Sequence, residues 1–276
     1  MISRISHITF LSVFVLTAGQ SLQAAHQCTN EDLEGTFGEI GWGSIPFPVI
    51  PALGGPFARV GQTVADGKGT VVSHTAGSFN GIIFQTDSYS GQYIVNPDCT
   101  VVFHMHIPIP LAPPGFLLPT DLIGVISDDG VEVANSVYSP PGLSIRILFH
   151  KQNNKQEAQN KCSNEDFEGS YGLDMFGTIV SQPPNTPGVL SRNGRLVFDG
   201  KGGFNANVNS NYNGTTVPEV FSGTYAIDKG CKLKMNYTLG TTAYTWFGGL
   251  DYESSGATVM VTSPAGSVVV GTLTQQ

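Results

Sequence analysis

Cys28-Thr-Asn-Glu-Asp-Leu-Glu-Gly-Thr-Phe-Gly38 returns as Cys162-Ser-Asn-Glu-Asp-Phe-Glu-Gly-Ser-Tyr-Gly172. Every difference between the two stretches swaps like for like: Thr for Ser, Leu for Phe, Phe for Tyr. The chain is therefore a tandem duplication, and each half can be read against the other. Beyond the opening stretch the halves keep step. Phe57-Ala-Arg-Val-Gly answers Leu190-Ser-Arg-Asn-Gly, and Asp66-Gly-Lys-Gly answers Asp199-Gly-Lys-Gly. Gly91-Gln-Tyr answers Gly223-Thr-Tyr, and Ser139-Pro-Pro-Gly answers Ser263-Pro-Ala-Gly. The expected domains are residues 26–152 and 162–276, joined by a polar linker at 153–161.

Helical periodicity is nearly absent. Short Val, Ile, Thr, Tyr and Phe runs between Asp-Gly, Asn-Gly and Pro-Gly turns read as strands. Asp66-Gly67 and Asp199-Gly200 read as hairpin turns, where positive φ is required. About eight strands per half suit a small closed barrel. The expected fold is all-β: two tandem antiparallel β-barrels.

Four cysteines fit an oxidising compartment. They allow three pairings, and the duplication selects Cys28–Cys99 and Cys162–Cys231, one bridge per half. Each closes a loop of about seventy residues, worth ~4 kcal/mol on the chain-entropy estimate. Residues 1–25 read as an export signal: Arg4, an apolar run at Ile8–Ala18, and small residues at Ala24 and Ala25. Asn213-Gly-Thr and Asn236-Tyr-Thr are glycosylation sequons, consistent with a secreted or secretory-pathway protein. The net charge of -8 argues against nucleic acid or anionic membrane as partner. No hydrolase, metal or nucleotide motif is present, so no cofactor or metal is expected.

Two stiff, apolar loops at one end of the first half, Gly41–Pro56 and Pro108–Pro119, look like the walls of a binding site. Plugging the barrel or packing on the other half is the competing reading. His104 and His106 share a strand face with the position of the Asn236 sequon in the other half. That face is outward, which demotes the histidine pair. Arg59 and Arg192 align and share a face with apolar neighbours. Each is expected to grip an anionic or polarised oxygen, to pair with a first-strand carboxylate such as Glu34 or Glu168, or to close the barrel end. Tyr93 and Tyr225 align too, and a matched pair suits architecture as well as proton donation. Tyr244, Trp246, Phe247 and Tyr252 have no aromatic match in the first half, which marks them as pocket or core residues.

The pattern Cys-x-Asn-x-x-Leu-x-Gly-x-Phe-Gly, then Asp-Gly-x-Gly, Gly-x-Tyr and Cys99, resembles small secreted calycin-like (lipocalin-like) barrels. A doubled, signal-bearing version resembles the fungal hetero-Diels–Alderases of tropolonic sesquiterpenoid biosynthesis. The resemblance implies a cofactor-independent pericyclase. It would assist dehydration of a hydroxymethyl tropolone to a quinone methide, and its [4+2] cycloaddition with a humulene-type sesquiterpene. On that reading Arg59, Tyr93, Arg192 and Tyr237 carry the chemistry. Trp42, Phe47, Phe103, Met105, Phe116, Tyr244, Trp246 and Phe247 hold the substrates. A non-catalytic carrier of small hydrophobic molecules is the alternative, and a structural protein with filled barrels is a third. The expected partners are small hydrophobic substrates, with no membrane contact once the signal is removed and a homodimer left open.

Overall fold

The computed structural model describes residues 27–46, 51–85, 88–127, 130–152, 162–181, 187–251 and 255–276. The expected signal and linker, with Phe47 and Tyr252, lie outside the described residues. Two β-barrels follow one another along the chain. The first contains β1 (Gly35–Ile45), β2 (Gly55–Ala65), β3 (Thr70–Phe79), β4 (Ile82–Gln85), β5 (Tyr89–Val95), β6 (Thr100–Pro108), β7 (Leu117–Ile126), β8 (Glu132–Ser139) and β9 (Ser144–Lys151). The second contains β10 (Glu168–Ile179), β11 (Gly188–Asp199), β12 (Gly203–Tyr212), β13 (Thr215–Ile227), β14 (Lys232–Leu239), β15 (Thr242–Leu250), β16 (Gly256–Ser263) and β17 (Ser267–Gln275).

Both barrels are antiparallel and closed. In the first, β1 pairs with β9 and β2, and β2 pairs with β3. In the second, β10 pairs with β11 and β17. The first barrel has one strand more than the second because its counterpart of β13 is split. β3 pairs with β4 at one end and with β5 at the other, whereas β13 runs unbroken along β12.

The repeated opening stretch closes one end of each barrel. Cys28 bonds Cys99, and Cys162 bonds Cys231. A short 3-10 turn at Asn30–Leu33 begins at Thr29, whose amide donates to Asp32 Oδ2 at 2.7 Å. Ser163 and Asp166 repeat this at 2.8 Å before the turn at Asn164–Phe167. Asn30 Oδ1 accepts from the Val95 amide, and Asn164 Oδ1 from that of Ile227. The Tyr93 hydroxyl donates to the Asn30 carbonyl at 3.2 Å, and the Tyr225 hydroxyl to that of Asn164 at 3.0 Å. These bonds satisfy buried polar groups at the barrel end, which accounts for the invariance of Asn, Asp and Tyr between the copies.

The two loops at the other end are shorter than the sequence suggests. Gly41–Ile45, with Trp42, extend β1, and Leu117–Pro119 belong to β7, so the connections shrink to 46–54 and 109–116. Strand pairing decides this: Trp42 sits opposite Ala58 and Arg146 in two ladders.

The barrels dock side by side. Ile40, Ala58, Val60 and Ala76 on the outside of β1–β3 meet Met260, Val268 and Val270 on the outside of β16 and β17. Strands buried on both faces lose the apolar–polar alternation. That is why Ala257-Thr-Val-Met-Val and Val268-Val-Val read as continuous apolar runs. The Ser78 hydroxyl donates to the Ser267 carbonyl at 2.7 Å, and the Gly266 amide to that of Gly81 at 2.9 Å. A Cβ on Gly81 would stand 2.7 Å from the Gly266 Cα, so the hairpin tips meet only because Gly81 lacks a side chain.

The duplication explains why docking stops at two barrels. Each barrel carries a copy of both faces, and the unused copies are polar. Asp174, Ser191 and Asn193 stand where Ile40, Ala58 and Val60 do. Ser136, Ser144 and Arg146 stand where Met260, Val268 and Val270 do. All six are exposed, so neither free face offers the apolar patch that a head-to-tail array requires.

Candidate functional site

Arg59 and Arg192 both point into their barrels, and each lies over an aromatic ring at 5.8 Å, Tyr89 and Phe221 respectively. Their carboxylate partners come from different strands. Arg59 pairs through Nη2 with Glu39 of β1, not with Glu34. Arg192 pairs with Glu219 of β13 at 2.7 Å. Leu173 fills the Glu39 position in the second barrel, so the acid moved while the base stayed.

In the second barrel every guanidinium nitrogen is hydrogen-bonded. Nε donates to Ser210 Oγ at 2.7 Å, Nη1 to the Tyr237 hydroxyl at 3.0 Å, and Nη2 to the Tyr212 hydroxyl at 2.9 Å as well as to Glu219. Burial pushes the Tyr212 hydroxyl up to about 12, and raises that of Tyr237 despite the opposing charge of Arg192. Phe221, Tyr237 and Tyr244 stack in series at 4.2 and 5.0 Å, with Trp246 edge-on to Tyr237. Tyr237, Tyr244 and Trp246 thus fill this barrel's interior.

The first barrel differs. Glu39 Oε2 accepts from Thr63 Oγ1 at 2.8 Å, and Thr63 in turn contacts Ser73 at 2.8 Å. Arg59 Nε has no hydrogen-bond partner among the described residues. Burial opposes the Arg59 charge, but Glu39 and Tyr89 outweigh it and hold its pKa above the ordinary value. Burial pushes the Tyr89 hydroxyl up to about 12. This polar layer rests on an aromatic one in which Phe103 packs on Tyr93 and Phe149.

Above the polar layer the barrel is hollow. A cavity of about 100 Å³ is lined by Leu53, Phe57, Phe79, Ile107, Leu118 and Ile145, among others, and Arg59 forms part of its wall. Almost the whole lining is aliphatic or aromatic. The missing bulk has a simple origin. Positions occupied by Tyr237, Tyr244 and Trp246 in the second barrel have no aromatic counterpart here.

The other expected site residues distribute as follows. Met105 is buried in the first barrel's core. Tyr93 belongs to the closed end, bonded to Asn30. Phe116 is 40% exposed on a loop. Trp42 and Phe247 face outward and pack at the contact between the barrels, with Trp42 edge-on to Phe176 at 5.5 Å. Trp42 is also covered by Arg146 at 5.7 Å. His104 and His106 are exposed, and His104 Nδ1 meets Asp121 Oδ1 at 2.8 Å. Asn236 is exposed on the matching face, and Asn213 sits at positive φ in a turn. Glu39 and Glu219 escaped the sequence reading because they do not align. No group of three or more His, Cys, Asp or Glu side chains suited to a metal occurs among the described residues. No described helix is long and apolar enough to cross a membrane. Two disulfides suit an oxidising compartment.

No family model matches the chain, and no curated protein sequence does. Among solved structures, the isotype 1 transferrin binding protein B of serogroup B Neisseria meningitidis aligns over 88% of this chain and 75% of its own, at 8% identity and a TM-score of 0.33. A protein of the DUF3598 family from Nostoc punctiforme aligns over 90% of this chain and 97% of its own, at 11% identity and a TM-score of 0.23.

Proposed function

We propose that the first barrel binds one small, neutral, largely apolar molecule bearing an oxygen acceptor, such as a ring ketone. The observation that carries this reading is a cavity lined by apolar side chains apart from Arg59 and Thr120, with Arg59 Nε buried and without a hydrogen-bond partner among the described residues. A buried donor without an acceptor costs on the order of 1–3 kcal/mol, so an oxygen placed there regains a real interaction. Charge selects a neutral ligand. Arg59 and Glu39 already balance, and an anion would add an uncompensated buried charge. The second barrel, filled by Tyr237, Tyr244 and Trp246 and with every guanidinium nitrogen of Arg192 hydrogen-bonded, serves as scaffold.

Catalysis of a cycloaddition is the second reading. The Arg59 donor would polarise the carbonyl of an oxygenated diene as charge develops on it. Volume ranks it second, because a cavity of about 100 Å³ suits a single ring rather than two reacting partners. Saturation-transfer NMR and thermal shift with cyclohexanone, methylcyclohexane and benzoate test the binding reading. At ten times Kd, the ketone adds about 1.4 kcal/mol of stability. Benzoate is expected to add none. Equal response to ketone and benzoate, or to neither, contradicts it.

A further inference from the structure

We infer that the first barrel's cavity opens sideways, through its wall, into an outer cleft that receives the ligand first. This rests on the binding role proposed above. The β8–β9 ladder ends at Ser136 opposite Arg146, although the two strands run on to Ser139 and begin at Ser144. Beyond that pair the wall is unzipped. A register shift at Asp121 and Leu122 disturbs the neighbouring β7–β8 ladder at the same level, and such bulges bend a strand away from its partner.

Outside the unzipped segment lies an open cleft of about 420 Å³, lined by Trp42, Ser136, Ser144 and Arg146 together with Val137, Leu143 and Ile145. The last three also line the inner cavity. A layer one residue thick therefore separates cleft from cavity. No ladder pairing joins β8 to β9 across it, although Ile145 stays paired with Gly43 of β1 and Val137 with Leu122 of β7. Side chains at such places change rotamer quickly, whereas a paired strand must break backbone bonds to part.

The second barrel shows what the opening looks like when covered. Its β16–β17 ladder stops at the equivalent pair, Met260 opposite Val270. There the hairpin tip lies against the first barrel: the Gly266 amide bonds the Gly81 carbonyl, and Ser78 bonds Ser267. The duplicated split is sealed by docking in one copy and left facing a cleft in the other. The cleft suits the same ligand class. Apolar Val137, Leu143 and Ile145 accept a ring, while the Arg146 guanidinium, which lies over Trp42, and two serines offer donors to its oxygen.

The test needs no ligand. The four native cysteines are all in disulfides, so Thr120→Cys places a unique thiol on the cavity wall. Its reaction with methyl methanethiosulfonate reports access from solvent. Ser136→Trp with Ser144→Trp, which crowds the cleft, is expected to slow labelling at least tenfold. Leu143→Ala, which thins the partition, is expected to speed it severalfold. Ala112→Trp, at the loop end, should change it less than twofold. Circular dichroism and peptide mapping confirm fold and native disulfides in each variant. Labelling that ignores the cleft tryptophans, slows only with Ala112→Trp, or fails to occur at all overturns the side entrance. Slowed labelling in a protein that binds no ketone would keep the entrance and remove the ligand reading.

Discussion

Glu39→Gln removes the charge of one partner from a buried ion pair and leaves the other in place. Arg59 is only 6% exposed and Glu39 fully buried, so water cannot replace the lost carboxylate. Stranding a charge in this way costs about 3–5 kcal/mol. For a barrel of this size each kcal/mol lowers Tm by roughly 3–5 °C, so a fall of about 10–20 °C is expected. The double variant Glu39→Leu with Arg59→Met replaces both charges by apolar groups of similar volume. It is expected to lie within about 1–2 kcal/mol of the parent, because the desolvation cost disappears with the attraction. Urea unfolding of the parent, the single and the double variant at neutral pH, with disulfides intact, gives the comparison. The same double variant should keep methylcyclohexane binding and lose the preference for cyclohexanone. A single substitution costing under 1 kcal/mol, or a double variant as unstable as the single, refutes the buried-pair reasoning.

Asp251 provides a pH test. Burial raises its carboxyl to about 6 from the model-compound value of 3.8. The folded state then holds a proton that the unfolded chain has released, so stability falls as pH rises from about 4 to 6. Asp251→Asn should therefore stabilise by about 3 kcal/mol at pH 7.5 and little at pH 4, read by Tm at both. Val60→Asn installs the residue that the second barrel carries. It should cost about 2–3 kcal/mol and separate the calorimetric transitions of the barrels, while Asn193→Val should leave one transition. Tyr93→Phe loses the bond to Asn30, and Tyr225→Phe those to Asn164 and Phe167; each should cost about 1 kcal/mol, without effect on ketone binding. In a eukaryotic host, glycan mapping should find Asn236 occupied, in keeping with its exposed face.

The duplication made much of this fold legible. Cys28 and Cys162 set the register of the halves, and the disulfides and the outward histidines follow from it; the all-β barrels follow from the strand runs and the turns between them. Arg59 and Arg192 were visible as inward because alternation along a strand fixes the face. A first-strand carboxylate was expected and Arg59 has one, but it is Glu39, on the paired strand β1, rather than Glu34; the Arg192 partner was not legible, because Glu219 lies two strands away on β13. The contact between barrels was written in the comparison of Ile40, Ala58 and Val60 with Asp174, Ser191 and Asn193. A single strand does not reveal it, since two-sided burial erases alternation. Trp42 and Phe247 looked like pocket residues for the same reason: an aromatic side chain on a strand is apolar toward whichever face is covered. The cavity itself is an absence of bulk, and only the packed neighbours define it.

The most direct measurement is a crystal of the intact protein soaked in cyclohexanone. Density is expected for one molecule inside the first barrel, its oxygen about 3 Å from the Arg59 guanidinium, and none inside the second. An empty first barrel, or a ketone turned with its oxygen toward the aliphatic wall, contradicts that expectation.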